Sequence, residues 1–380
     1  MSDAQLCETV TGGSMSELLT ARDGAIAADL VELRLDGVGD LDVAQALHGR
    51  RRSAIVTCRP VWEGGRFEGG EDARRRILSD AFQFGAEYVD VEWRSLRGAG
   101  GSGGFDELLK SGERRVLVSA HDFSGIPADL NGQVKAMRAT GATVIKIAVT
   151  PARLSETLPL RQVATEGDAV VIGMGDAGMP TRLLATRFKS RWTYGGKGIA
   201  PGQVPTVRML QEFRFRGIGD ETMLYGVVGT NVTHSVLPAM HNAAFGAAGL
   251  DAVCVPLSAA DFEDFLTFAE ALGIAGASVC TPFGQDALAA AVRADDVARK
   301  AGAVNAVRRT PDGWEATNTS AAGGNLRRPT AASQAGEDSV VAEAEQQWEW
   351  WTGRRPQPGV MRAAAFVETG HRDSEAQRRT

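Results

Sequence analysis

The sequence predicts an α/β protein: an N-terminal (β/α)8 barrel, or TIM barrel, then a small α/β domain and an irregular tail. Three observations carry this. Eight short apolar or alternating runs recur at intervals of roughly 20–30 residues in the first half, with helical spacing between several of them. A second strand–helix pattern begins near Met223. Hydrophobic periodicity then fades over the last part of the chain, from about residue 325.

The eight runs are Leu6–Val10, Leu30–Leu35, Ala54–Cys58, Tyr88–Trp93, Arg115–Ala120, Thr143–Val149, Ala169–Met174 and Trp192–Gly195. Ala73–Phe84 and Leu130–Thr140 are the clearest helices between them. Strands alternating with helices form parallel sheets, and eight such units in residues 1–215 suit a closed barrel at the short end of its range. An open doubly wound sheet is the alternative. Gly98–Gly104 reads as a loop, because no strand-to-helix turn frames it as a phosphate cradle.

The second domain, residues 222–322, reads as strands Met223–Gly229, Ala252–Leu257, Ala277–Cys280 and Ala303–Arg308. Between them lie helices Leu237–Ala248, Ala260–Ala271 and Gln285–Val292, and Glu212–Thr222 is the expected boundary. Residues 323–380 read as a weakly structured tail in which Trp348, Trp350 and Trp351 crowd together.

Composition excludes several classes. A net charge of −6 without a basic stripe argues against nucleic-acid binding. A run of 18 apolar residues is lacking, which argues against a membrane span. Cys7, Cys58, Cys254 and Cys280 are scattered, with neither disulfide nor zinc spacing, and fit a reducing cytoplasm. Six lysines stand among 41 basic residues, so a lysine inside a strand calls for a reason.

Lys146, in Thr-Val-Ile-Lys-Ile-Ala-Val, is such a lysine. On a barrel strand it is expected among apolar neighbours, where burial disfavours the ammonium and favours a nucleophilic amine that attacks ketones. The plainer reading is a lysine that snorkels or pairs with a carboxylate. Other strands also end in polar residues: Glu32 and Arg34, Arg59, Glu92, His121 with Asp122, and Arg182. Singly, each has a structural explanation, such as a Glu32–Arg34 ion pair or a packed His121. Together they would converge on the C-terminal face, where barrel enzymes carry their sites.

These residues sit in motifs that resemble the type I 3-dehydroquinate dehydratase family: Val31–Asp36, Thr57-Cys-Arg with Glu63-Gly-Gly, Asp90-Val-Glu, Ser119-Ala-His-Asp-Phe, Ile145-Lys-Ile-Ala, Met174-Gly-x-x-Gly through Arg182, and Ala200-Pro-Gly-Gln. The resemblance spans residues 1–215. It implies a lyase of the shikimate pathway, and so of aromatic amino acid biosynthesis, that dehydrates 3-dehydroquinate to 3-dehydroshikimate through a Schiff base on Lys146. His121 would move the protons and Glu92 would orient His121. Arg182 and Gln203 would bind substrate, with Glu32, Arg34 and Arg59 completing the cage. Neither cofactor nor metal is implied. One departure is Ile199, where the family carries serine.

Residues 223–322 resemble the substrate-binding domain of shikimate dehydrogenase. The matching stretches include Tyr225-Gly-Val-Val-Gly, His234-Ser, Thr281-Pro-Phe, Ala301-Gly-Ala-Val-Asn305 and Asn318-Thr319. Ser235, Asn305 and Asn318 are the implied ligand contacts. Gly284 and Ser320 replace the catalytic lysine and aspartate, Leu237 replaces a serine, and no glycine-rich cofactor turn follows Ser320. The expectation is a dehydratase whose second domain does not transfer hydride. The alternatives are a bifunctional enzyme that also uses NADP as a shikimate dehydrogenase, and a non-catalytic binder of pathway metabolites. The expected partner is a small molecule, neither nucleic acid nor membrane, and the sequence leaves the oligomeric state open.

Overall fold

The computed structural model describes residues 4–97, 105, 109, 115–196, 198, 202–320 and 334–366. The expected loop at Gly98–Gly104 and the Ile199 departure lie outside the described residues, as do 321–333 and 367–380. The chain divides into two units, one of Met1–Ala152 with Glu156–Leu210 and one of Arg153–Ser155 with Gln211–Thr380.

The first unit is the expected barrel. Its strands are β1 (Gln5–Val10), β2 (Leu30–Arg34), β3 (Ser53–Thr57), β4 (Tyr88–Glu92), β5 (Val116–Asp122), β6 (Val144–Val149), β7 (Ala169–Gly173) and β8 (Trp192–Gly195). They pair in the order β7-β6-β5-β4-β3-β2-β1-β8, all parallel, so the last strand returns to the first. A doubly wound sheet does not do this. The seam between β7 and β8 is tied by the Arg191 N–H donating to Ala169 O at 3.0 Å. Ser190 Oγ spans the same seam, accepting from Val171 N at 3.1 Å and donating to Trp192 O at 2.8 Å.

Among the described residues, the α-helices that follow β1, β2, β3, β5, β6, β7 and β8 are α1 (Met15–Gly24), α2 (Val43–Leu47), α3 (Glu71–Gln83), α4 (Leu130–Arg138), α5 (Leu158–Val163), α6 (Gly175–Leu183) and α7 (Thr206–Gln211). Local chemistry sets their starts. Ser14 caps α1 by accepting from Glu17 N at 3.3 Å, and Glu17 reaches back to Gly13 N at 2.7 Å. The start of α6 packs directly against the end of β7. A Cβ on Gly178 would lie 2.3 Å from the carbonyl carbon of Gly173, so only glycine permits this approach. That approach brings Arg182, on the last turn of α6, to the barrel mouth.

Inward positions alternate along each strand. The lower set, Leu30, Ile55, Leu117, Val144, Val170 and Trp192, is buried and apolar and fills the barrel floor. The next set up is polar: Glu32, Thr57, Asp90, Ser119, Lys146 and Tyr194, each less than a tenth exposed.

The second unit has a six-stranded sheet in the order β10-β9-β11-β13-β14-β12. Here β9 is Met223–Gly229, β10 Ala252–Ser258, β11 Ile274–Val279, β12 Arg293–Ala294, β13 Ala306–Thr310 and β14 Gly313–Thr317. Its helices are α8 (Leu237–Ala247), α9 (Phe262–Leu272), α10 (Gly284–Ala290), α11 (Asp296–Ala301), α12 (Gln334–Thr352) and α13 (Val360–Ala365). The last two correct the expectation of a weakly structured tail. On α12, Val341, Ala344 and Trp348 recur at helical spacing and are buried against Tyr225, Met240 and Phe245. Trp348 is wholly inaccessible. Among the described residues no helix is long and apolar enough to cross a membrane.

Candidate active site

Lys146 Nζ lies 3.4 Å from Glu32 Oε1 and 3.4 Å from Asp90 Oδ2. Lys146 is on β6, while Glu32 and Asp90 are on β2 and β4, neither of which neighbours β6. Such contacts pass only through the interior, so the lysine points inward. The expectation of purely apolar neighbours is corrected. Ile145 and Ile147 flank Lys146 in sequence but occupy the alternate strand positions, whereas the inner face supplies two carboxylates and the ring of Tyr194, whose centroid is 4.2 Å from Nζ.

Each carboxylate is held from several sides. Glu32 accepts from Thr9 Oγ1 and Thr57 Oγ1, both at 3.0 Å. Burial favours its neutral form, but the charges of Lys146 and Arg34 outweigh that and keep the carboxyl below the usual range. Asp90 accepts from Ser119 Oγ at 2.5 Å and from Arg59 Nη2 at 2.8 Å. Here too burial is overcome, by Arg59 and then Lys146, and the carboxyl is driven well down. Arg59 also donates to Glu92 Oε1 at 2.7 Å and Ser119 Oγ at 2.9 Å.

His121, at the end of β5, stands on the strand next to Lys146; Ser119 is in register with Lys146 and His121 with Ala148. Glu92 was expected to orient it. Instead Glu92 accepts from Arg59 and from Arg74, behind the pocket. The carboxylate that reaches His121 is Glu63, whose Oε1 accepts the His121 backbone N–H at 3.0 Å and faces Nδ1 at 3.3 Å. Glu63 returns over the mouth because the loop after β3 doubles back on Arg59. A Cβ on Gly65 would lie 2.0 Å from Arg59 O, so this turn requires glycine. The triplet Glu63-Gly64-Gly65 was the available signal, but a pairing across 58 residues has no local signature.

Burial, then the charge of Arg59, pushes the His121 pKa down to about 4; the Glu63 hydrogen bond opposes this and loses. The imidazole is therefore neutral at pH 7 and able to accept a proton.

Of the eight barrel residues expected at the site, Glu32, Arg34, Arg59, His121, Lys146, Arg182 and Gln203 line a single pocket. Glu92 is not among its lining residues. Arg34 is clamped by Asp36 in two parallel hydrogen bonds of 2.8 Å. Gln203 Nε2 donates to Thr9 Oγ1 at 3.1 Å and Gly195 O at 2.9 Å. Burial lowers the Arg182 pKa to about 10, which leaves it cationic at pH 7. Ala148, Ile172 and Met174 form the apolar wall. The arrangement joins an amine, an uncharged base and three guanidiniums in one enclosure. It can bind a carboxylate, add to a carbonyl and move a proton. Among the described residues no cluster of three potential metal ligands occurs.

In the second unit, Asn305 Oδ1 accepts from Thr319 N at 2.9 Å and its Nδ2 donates to Ser320 Oγ at 3.2 Å. Asn318 Nδ2 donates to Ala303 O at 2.9 Å and its Oδ1 accepts from Ser320 N at 3.0 Å. These two asparagines therefore sit together around Ser320. Ser235, just before α8, accepts from Leu237 N at 3.3 Å. Gly284 is buried at the start of α10.

Comparison with known proteins agrees with this division. The family profile of type I 3-dehydroquinase matches residues 6–220, and that of the shikimate dehydrogenase substrate binding domain matches residues 227–307. A chloroplastic bifunctional 3-dehydroquinate dehydratase/shikimate dehydrogenase of Arabidopsis thaliana is 34% identical over 330 residues, covering 81% of this chain. The chain spans 53% of that relative's length. A 3-dehydroquinate dehydratase of Methanothrix thermoacetophila is 35% identical over 197 residues, covering 50% of this chain and 84% of the relative. Among solved structures, the dehydroquinate dehydratase and shikimate dehydrogenase of S. pombe aligns with a TM-score of 0.47 at 22% identity, covering 84% of this chain and 65% of that one.

Proposed function

The chain belongs to the type I 3-dehydroquinase family, and from that premise we propose that it dehydrates 3-dehydroquinate to 3-dehydroshikimate through an imine on Lys146. The observation that carries this reading is the inward Lys146 between Glu32 and Asp90, in one pocket with a neutral His121.

The Lys146 ammonium lends one proton to His121 so that the amine adds to the C3 ketone, and return of that proton with loss of one water gives the protonated imine. The cationic C=N draws electrons from C2, so the adjacent C–H becomes acidic enough for an imidazole. His121 takes the C2 proton and an enamine forms. The enamine electrons then expel the C1 hydroxyl, to which His121 returns its proton, so that water leaves. A further water hydrolyses the conjugated imine and restores the amine. The reaction thus loses one water overall. Glu63 holds His121 in place through both proton steps, and Arg34 and Arg182 offer charge to the substrate carboxylate. The imine keeps a single positive charge on Nζ, so Glu32 and Asp90 face the same charge before and after condensation.

Borohydride added during turnover should fix the substrate skeleton to Lys146, read by peptide mass, and Lys146→Ala should abolish the adduct. An unlabelled wild-type Lys146 peptide would refute the reading.

The second unit, on this reading, does not transfer hydride. Gly284 brings no side chain, and Ser320 is a hydroxyl engaged with Asn305. Shikimate and NADP together should give no absorbance change at 340 nm; NADPH formation would establish the bifunctional alternative.

A further inference from the structure

We propose that the ring of Tyr194 is a further electrostatic partner of the imine nitrogen, adding to the hold on its positive charge where condensation costs the neighbouring carboxylates a hydrogen bond. This rests on the dehydratase reading above. An ammonium has three N–H donors and can serve Glu32 and Asp90 together, both 3.4 Å from Nζ. A protonated imine has one N–H. Condensation therefore removes two donors, and at most one carboxylate keeps its hydrogen bond. An aromatic face attracts the charge whatever the direction of the N–H. The Tyr194 ring centroid lies 4.2 Å from Nζ, within the range of that attraction.

The placement of Tyr194 fits a role for its ring rather than its hydroxyl. It is the upper inward residue of β8, in register with Cys7, and packs in the apolar cluster with Leu30, Ile172 and Trp192. It is 4% exposed, and among the described residues its hydroxyl completes no hydrogen bond, although the Trp192 side chain approaches it. An aliphatic side chain would fill this position without leaving a buried hydroxyl unsatisfied. Burial also holds the phenol well above its ordinary pKa, so it stays uncharged beside Glu32 and Asp90. What remains is the π face toward Lys146.

The test follows the imine itself. Cyanoborohydride reduces the protonated imine, so the fraction of Lys146 labelled from pH 6 to 10 reports the imine's pKa. In Tyr194→Leu the alkaline midpoint should fall by about one pH unit, so that the labelled fraction well above both midpoints falls by about 10-fold, in keeping with a desolvated cation–π contact. In Tyr194→Phe the midpoint should stay with the wild type. Should Tyr194→Leu not fold, ring-fluorinated phenylalanines at position 194 weaken the π face at nearly constant shape and should lower the midpoint stepwise. An unchanged midpoint in folded Tyr194→Leu or across the fluorinated series would overturn the proposal. A loss in Tyr194→Phe equal to that in Tyr194→Leu would also overturn it, by assigning the effect to the hydroxyl. Wild-type protein that is never labelled would sink the dehydratase reading instead, and this proposal with it.

Discussion

The imidazole of His121 shows how a single residue acquires its chemistry from its surroundings. Its depressed pKa, about 4, has burial as its first cause and the Arg59 charge as its second. As a free-enzyme base it should keep kcat/KM level as pH falls through 6.5, with the acid limb near pH 4 to 5. Glu63→Gln removes the contact that favours the imidazolium, so the limb should move to still lower pH. The same change should cut kcat by roughly 10- to 100-fold by loosening the ring. A pH–rate series on both proteins checks this, and a limb at pH 6.5 in the wild type would contradict the assigned environment. His121 was identifiable as a strand-end histidine. Its partner was not, because Glu63 and Glu92 are equally good carboxylates in sequence and only the fold of the loop at Gly65 chooses between them.

Elements deliver these residues, and buried charges tie the elements together. Arg74 on α3 is wholly buried, accepts no solvent contact and donates to Glu92 at the end of β4, to Glu71 and to Ser95 Oγ. Glu92 in turn holds Arg59, which holds Asp90. Removing Arg74 leaves Glu92 with one cation instead of two. Arg74→Met should cost about 3 kcal/mol in urea unfolding, and adding Glu92→Gln should recover part of it. A loss below about 1 kcal/mol would mean that Arg59 alone satisfies Glu92. The elements themselves were readable to different degrees. The eight barrel strands announce themselves as apolar runs. The two-residue β12 and the short β14 are too brief for a periodic signal, whereas β13 was read as a strand over Ala303–Arg308, displaced toward the N-terminus. Helix α12 read only as part of a weakly structured tail because its apolar side chains are diluted by glutamates and alanines. Its burial depends on Trp348 and Trp351 meeting Phe245 and Tyr225, ring centroids 5.9 and 5.0 Å apart.

At the scale of the whole molecule, these charges make stability depend on pH. His121 binds its proton more weakly folded than unfolded, so its contribution is complete above about pH 6.5 and is lost as pH falls toward 4. Glu32 and Asp90 are held below their ordinary range, so theirs persists above about pH 4 and is lost below it. Thermal unfolding of the ligand-free protein should therefore show Tm falling from pH 6.5 to 4 and more steeply below; a flat Tm down to pH 4 would contradict the His121 assignment. The eight-strand barrel, its polar strand ends and the odd lysine are legible along the chain, because each is written in local periodicity and residue type. Which carboxylates surround Lys146, which one grips His121, and where the tryptophan-rich segment packs were decided only by tertiary structure. Closing the barrel sets β2, β4, β6 and β8 face to face across its interior, and that proximity has no counterpart along the chain.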